Sequence, residues 1–163
     1  MAVRILCMIC ILFFGVSVVN CCSCASPPSK HQQFCNSNIV VLAYVYNAVV
    51  QPAGKFYKEY DAVVYSVKRD KDGVIPNDDS DFFFVKIITG SNSGLCEVPI
   101  EFQNSYLFSA SSLDYSQDLP SMRVFSCGWN TNTRWLSSWD LYGIDNWTCM
   151  STSTSIPVSF FPI

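Results

Sequence analysis

The sequence predicts a single, mainly β domain with a short helical region near its C-terminal end. Three observations carry this prediction: several β-branched and aromatic runs separated by turn residues, one late stretch with helical spacing, and six cysteines able to pair in an exported chain. Five runs of strand type and one packed helix in a disulfide-bonded domain are typical of a five-stranded, partly open β-barrel of the OB type.

The first part of the chain has the pattern of a secretory signal peptide. Arg4 supplies a positive charge, and residues 5–19 form an apolar run with small residues toward its end. The run is shorter than the about 20 residues that a membrane-spanning helix needs, which argues against a retained anchor. A lipoprotein signal is disfavoured because Asn20 stands where such a signal has a small residue. We expect residues 1–21 to be removed and the protein to be secreted, without a membrane span after processing.

The number of cysteines indicates where the signal peptide is cut. Cys7 and Cys10 leave with the apolar segment, and the remaining cysteines are Cys21, Cys22, Cys24, Cys35, Cys96, Cys127 and Cys149. An odd number leaves a free thiol or an intermolecular bridge, whereas a cut after Cys21 leaves six cysteines that can all pair. Cys22 is therefore the favoured mature N-terminus, and a cut after Asn20 is the alternative. Three disulfides are expected, with zinc ligation by the thiols as the lesser alternative in an oxidising compartment.

Five segments have the composition of β-strands, and turn residues such as Gly54 and Gly73 separate them. These segments are residues 38–50, 57–69, 82–89, 104–111 and 121–127. Further on, Trp135 and Trp139 lie four residues apart, which predicts one face of a short helix. The expected organisation is a signal peptide at 1–21, one domain at 22–149 and a short, loosely held tail at 150–163.

Charge and histidine content exclude several classes of function. Without Arg4, nine Lys and Arg face thirteen Asp and Glu, so no basic stripe remains and nucleic acid is not expected as a partner. His31 is the one histidine of the chain, which leaves too few residues for a multi-histidine metal site or a histidine-based catalytic group. We expect His31 to lie in a loop, and we expect neither a cofactor nor enzymatic activity.

Two further polar motifs have ordinary explanations. Asp78, Asp79 and Asp81 lack the EF-hand spacing of a calcium site and indicate a solvated turn. Asn146 begins an Asn-Trp-Thr triplet, which is an acceptor sequence for N-glycosylation in a secreted protein, although the nearby Cys149 limits access. The residues by themselves therefore favour a binding module.

The stretch CSCASPPSKHQQFCNSNIVVLAYV, which begins at Cys22, resembles the start of a tissue inhibitor of metalloproteinases, a family of the netrin-like superfamily. The resemblance consists of a Cys-x-Cys start, a proline-containing segment and the QQFCNSNIVV transition into the first strand. The three later cysteines also fall where the family's inhibitory domain has its own. Over residues 22–149 the resemblance implies the disulfides Cys22–Cys96, Cys24–Cys127 and Cys35–Cys149.

This resemblance implies an inhibitor of zinc metalloendopeptidases of the matrix type. The α-amine and carbonyl oxygen of Cys22 would bind the protease's catalytic zinc at the position that water occupies. An α-amine has a pKa of about 8 and is partly neutral at physiological pH. Ser23 would enter the S1′ pocket of the protease. The whole protease-binding ridge, called the ridge below, would consist of Cys22, Ser23, Cys24, Ala25, Ser26, Gly94, Leu95 and Cys96.

The chain also departs from the family pattern. The interval from Cys24 to Cys35 is one residue longer than usual, residues 41–44 lack the basic residues of the family's first strand, and the connection between the first two strands is short. No match to the family's second domain follows Cys149, so we expect an inhibitory domain standing alone as a monomer. The alternative is a non-inhibitory netrin-like module that binds extracellular matrix or a receptor through exposed residues such as Tyr44 and Tyr46.

Overall fold

A computed structural model describes residues 24, 28–51, 54–75 and 82–149 of the 163-residue chain. Its strands are β1 (Ile39–Val49), β2 (Tyr57–Asp70), β3 (Phe83–Gly90), β4 (Asn104–Ala110), β5 (Leu113–Asp114), β6 (Ser121–Arg123) and β7 (Thr131–Asn132). Its helices are α1 (Lys30–Asn36) and α2 (Ser138–Asn146), with short 3-10 turns at Ser93–Leu95 and Thr133–Trp135. The predicted signal peptide and tail, together with Cys22, Ser23, Ala25, Ser26, Asp78, Asp79 and Asp81, lie outside the described residues.

The strands form one seven-stranded sheet in the order β5-β6-β3-β2-β1-β4-β7. Pairing is antiparallel except between β3 and β6, which run parallel. The mainly β fold and the five predicted strands are thereby confirmed. β5 and β7 were not predicted because two-residue strands are too short to show an alternating pattern. The fifth predicted segment is shorter than expected, since pairing ends at Arg123 and the chain then turns toward Cys127.

The first half of β1 is buried on both faces, which explains its unbroken apolar sequence. Successive side chains of a strand point to opposite faces, so Val41 and Val45 lie in the main core while Val40 and Leu42 lie in a second cluster. The second cluster also contains Phe34, Leu107, Trp129 and Ile144. Because Phe34 belongs to α1 and Ile144 to α2, both helices cover the same face of the sheet.

His31 lies in α1, so the prediction of a loop at this position is wrong. Ser29 and Gln32 form a capping box, in which the Ser29 side chain accepts a hydrogen bond from the Gln32 backbone and the Gln32 side chain accepts one from the Ser29 backbone. Phe34, two residues after Gln32, is only 3% exposed. A helix start and one buried apolar residue are therefore sufficient to order this short segment.

The helical region near the C-terminus is present, but Trp135 and Trp139 do not share one helix. Trp135 ends a 3-10 turn, Leu136 is extended, and Ser137 begins α2 through a capping box with Asp140. Trp135 and Trp139 are 75% and 82% exposed, so the predicted packed face is wrong. Because α2 begins only after its N-cap at Ser137, Trp135 lies outside the helix, and the buried residues of α2 are Asp140, Gly143 and Ile144. Among the described residues, no helix has both the length and the apolar content needed to cross a membrane.

Candidate functional site

The loop after β3 carries the predicted ridge residues Gly94, Leu95 and Cys96. The Leu95 amide donates a hydrogen bond to the Asn92 carbonyl at 2.9 Å, and the Glu97 amide donates to the same oxygen at 3.2 Å. Cys96 has a φ of 60°, an uncommon conformation for a residue other than glycine. These two hydrogen bonds and the left-handed residue give the loop a defined turn, in which Leu95 is exposed.

Gly90, the last residue of β3, allows this loop to lie close against the sheet. A Cβ atom at this position would lie 1.9 Å from the carbonyl oxygen of Leu95 and 2.6 Å from its carbonyl carbon. Those distances are far below van der Waals contact, so a larger residue would push Leu95 away. Glycine is required here by the close approach of the Leu95 backbone and not by a positive φ.

The disulfide between Cys24 and Cys127 joins the N-terminal segment to the loop after β6. Their Cα atoms are 5.6 Å apart, and 103 residues of sequence separate them. Next to this disulfide, the Ser126 amide donates a hydrogen bond to the Cys96 carbonyl at 3.1 Å. Three chain segments that are distant in sequence therefore meet around Cys127.

The described part of the ridge thus consists of Cys24, Gly94, Leu95 and Cys96. Cys96 is disulfide-bonded, and its implied partner Cys22 lies outside the described residues, so the Cys22–Cys96 pairing stays a prediction. The zinc-binding amine of Cys22 and the roles of Ser23, Ala25 and Ser26 also stay predictions. The structure brings the Cys24 segment and the loop at Leu95 to the same region, through the Cys127 segment that contacts both.

The base of the loop is held by contacts to β2 and β3. Lys58 on β2 forms a salt bridge with Glu97 at 2.5 Å, and the hydrogen bond to that carboxylate raises the pKa of Lys58. The Val98 amide donates to the Thr89 hydroxyl at 2.7 Å in the buried interior. Since Glu97 and Val98 directly follow Cys96, these contacts determine where the ridge loop returns to the sheet.

A second set of contacts determines where the N-terminal segment leaves the domain. The Cys35–Cys149 disulfide, with a Cα–Cα distance of 5.4 Å, joins α1 to the residues after α2. Lys30 donates to both carboxylate oxygens of Asp140 at 2.7 and 2.8 Å, and this hydrogen bonding lowers the pKa of Asp140. Helix α1 is therefore attached at both ends, which restricts the positions that the preceding segment at Cys24 can adopt.

His31 has a packing role in this second set. Its ring lies edge-on to Trp147 with centroids 5.4 Å apart, and its Nε2 is 3.3 Å from the Thr148 carbonyl oxygen. Within the described residues, no group of three or more His, Cys, Asp and Glu side chains could hold a metal ion. Asn146 is exposed at the end of α2, where its side-chain amide donates to the Tyr142 carbonyl at 2.8 Å, and its glycosylation stays a prediction.

Sequence reasoning missed three residues that lie around Leu95. Phe56, Arg123 and Phe125 line a cavity of about 200 Å³ together with Leu95 and Gly90. Phe125 was assigned to a predicted strand and Phe56 to a connection, so neither was considered as a surface residue. The available signal for Phe56 was its position two residues after Gly54, because an apolar side chain in a turn between strands is often exposed.

A comparison with models of protein families gives a match over most of the chain. The family model described as tissue inhibitor of metalloproteinase matches residues 20–151. No curated protein matches the chain at a significant level. The matched range contains both disulfides described here and the loop at Leu95. Members of the family are secreted inhibitors of metalloproteinases and are not enzymes. The chain belongs to the tissue inhibitor of metalloproteinase family.

Proposed function

We propose that the mature protein inhibits matrix-type zinc metalloendopeptidases by placing the ridge in their catalytic cleft. The observation that carries this proposal is the meeting of the Cys24 segment and the Leu95 loop, through the Cys24–Cys127 disulfide and the hydrogen bond from Ser126 to Cys96. In this proposal the two segments form one continuous ridge, and its described anchors at Cys24, Cys127 and Cys96 are in place before binding. Pre-organisation of this kind lowers the entropy cost of association.

The α-amine and carbonyl oxygen of Cys22 are the proposed ligands of the protease's zinc. Catalytic zinc has three protein ligands and an open position at which water is activated. An amine and a carbonyl from one residue form a five-membered chelate ring at that position and displace the water. Ser23 follows directly and enters the S1′ pocket, while Leu95 lies on the non-primed side. The thiol of Cys22 takes no part in zinc binding in this proposal, because it is used in the disulfide to Cys96.

The finer features of the family fold belong to the same proposal. We include an OB-type barrel formed by the five predicted strands of the sheet, the Cys22–Cys96 disulfide, a domain that spans residues 22–149, and a monomeric inhibitor. The described strand order from β5 to β7, with β1 buried on both faces, is compatible with such a domain.

The decisive experiment compares the chain that begins at Cys22 with the same chain carrying one additional N-terminal alanine. The extension converts the basic amine of Cys22 into an amide nitrogen, which has no free lone pair for the metal, and adds a residue where the zinc must approach. We expect the inhibition constant against a matrix metalloproteinase catalytic domain to rise at least 100-fold. Circular dichroism serves as the control that both proteins have the same fold.

Equal inhibition by the two proteins would contradict zinc binding through the Cys22 amine. Intact-mass measurement of the secreted protein determines whether the natural N-terminus is Cys22 or Cys21. A mature chain that begins at Cys21 would carry its own inactivating extension, and it would count against the proposal in the same way.

The second candidate function is a non-inhibitory binding module, and an exposed aromatic surface favours it. Tyr44, Tyr46 and Phe84 are partly exposed on the strands of the sheet, and the rings of Tyr46 and Phe84 meet edge to face at 6.2 Å. A receptor or a matrix component could bind there. This candidate predicts that the chain beginning at Cys22 does not inhibit, and that substitution of Tyr44 or Tyr46 weakens binding.

A further inference from the structure

A cavity of about 500 Å³ lies beside β7, and none of its described lining residues belongs to the ridge. Its walls come from β2, from residues 97–101, from Tyr106 on β4 and from residues 130–135. A cavity of this volume is large enough to hold a small ligand. Trp135 forms one of the walls, so the cavity combines a defined shape with an accessible aromatic ring.

The backbone around Trp135 is fixed, although the residue itself is 75% exposed. On one side, the Thr133 hydroxyl donates a hydrogen bond to the Ser105 carbonyl at 3.2 Å. On the other side, Leu136 packs against the second cluster of the core. Because the backbone is held on both sides of the ring, a ligand that stacks on Trp135 does not have to order this segment first.

Polar side chains that carry donors and acceptors surround the ring. The Arg134 guanidinium and the Asn132 amide both donate to the side-chain oxygen of Asn104, the latter at 3.3 Å. The Glu101 amide donates to the Tyr106 hydroxyl at 2.9 Å, which fixes the backbone at Glu101, and the Glu101 side chain is exposed. Planar guanidinium, amide and carboxylate groups can each pair with two neighbouring hydroxyls, while an aromatic face accepts the CH groups of a sugar ring.

The charges that line the cavity cancel. Among its described lining residues, the basic side chains are Lys58 and Arg134, and the acidic ones are Glu97 and Glu101. Lys58 and Glu97 pair with each other, which leaves one cation and one carboxylate. A polyanionic ligand requires an excess of cations in its site, and a cationic ligand requires an excess of carboxylates. The cavity therefore fits an uncharged ligand that has both donors and acceptors.

We propose that this cavity binds an uncharged carbohydrate, with one sugar ring stacked on Trp135 and its hydroxyl groups paired with Arg134 and Glu101. A neutral sugar has apolar CH faces and hydroxyls that both donate and accept, which matches the aromatic wall and the mixed polar groups. The inference is independent of the proposed function, since no ridge residue takes part in it. The same chemistry is offered by the glycan of a glycoprotein and by a structural polysaccharide.

The test titrates the secreted protein with two neutral probes and follows the amide chemical shifts by NMR. Mannopentaose represents the glycans of glycoproteins, and N-acetylchitopentaose represents structural polysaccharides. We expect at least one of them to bind with a dissociation constant of about 1 mM, as suits a site for one or two sugar rings. The probe that binds more tightly identifies the source of the ligand.

Two exposed tryptophans provide a variant and its matched control. Trp135→Ala should weaken binding about 10-fold, because the stacking surface is lost, and the variant should fold because Trp135 is exposed. Trp139 is 82% exposed and is not among the described residues that line the cavity. Trp139→Ala should therefore change the dissociation constant less than 2-fold.

Four results would overturn the proposal. The first is that neither probe shifts an amide signal at about 10 mM. The second is that a heparin hexasaccharide binds more tightly than both neutral probes, because the site would then select anions. The third is equal weakening by Trp135→Ala and Trp139→Ala. The fourth is that Trp135→Ala leaves sugar binding unchanged but abolishes a concentration-dependent rise of the sedimentation coefficient, because Trp135 would then contact a second copy of this chain.

Discussion

The two disulfides between described residues provide a matched pair of perturbations. Cys24–Cys127 closes a sequence separation of 103 residues and Cys35–Cys149 one of 114. In the chain-entropy model, stabilisation grows with the logarithm of loop length, so the two values are about 4.7 and about 4.8 kcal/mol. Replacement of either pair by serine should therefore lower the free energy of unfolding by nearly the same amount, about 5 kcal/mol.

The effects on inhibition should differ although the effects on stability match. Without the bond to Cys127, Cys24 loses its attachment to the segment that contacts the ridge loop, and only the proposed Cys22–Cys96 disulfide still holds the residues before it. Ordering two residues of backbone on binding costs about 2 kcal/mol or more, which corresponds to at least about a 30-fold weaker inhibitor. Removal of Cys35–Cys149 leaves that attachment in place, and we expect less than a 3-fold effect once the folded fraction is taken into account.

The assay combines urea unfolding, followed by tryptophan fluorescence, with inhibition of a metalloproteinase catalytic domain. Both are measured at about 15 °C, where small domains are close to their maximum stability. Near-UV circular dichroism gives the folded fraction of each variant. The reasoning is refuted if the two double-serine variants lose inhibition equally at the same folded fraction, because the position of Cys24 would then have no special role.

Two further predictions concern the loop and the helices. Gly90→Ala should weaken inhibition about 10-fold, because the new Cβ displaces the Leu95 carbonyl. The control Gly73→Ala, at φ +63° with open space around it, should only lower the free energy of unfolding, by about 1 kcal/mol. Equal inhibition constants for the two variants would exclude displacement of the ridge. The hydrogen bonds from Lys30 lower the pKa of Asp140, so their stabilisation is present above the unfolded-state pKa of about 3.9 and is lost as pH falls through the folded-state value. Asp140→Asn should reduce the acid-induced fall of the melting temperature, and an unchanged profile between pH 2 and 6 would contradict this assignment.

Much of the architecture could be predicted from local sequence patterns. The run around Val41 is apolar at every position, which matches a strand that is buried on both faces, and the alternating run of β2 matches a strand with one buried face. The Cys-x-Cys start and the later cysteines indicated the family. The implied partners of Cys24 and Cys35 are the ones that the structure pairs.

The helices show the limit of local patterns. The segment with His31 carries the signature of a capping box, but seven residues are too few for helix formation without tertiary support. Burial of Phe34 against the sheet supplies that support. In the same way, the spacing of Trp135 and Trp139 is compatible with one helix, and the N-cap at Ser137 decides against it.

The sequence by itself determined the order of the strands along the chain, the cysteines available for pairing and the family, because these depend on residue types and on short-range spacing. Only the tertiary structure decided that Leu95 lies against Gly90, and that Phe56 and Phe125 flank it from segments about 70 residues apart in sequence. The physical reason is that such contacts depend on strand pairing and chain reversal over long separations. No local pattern encodes which exposed side chains will become neighbours.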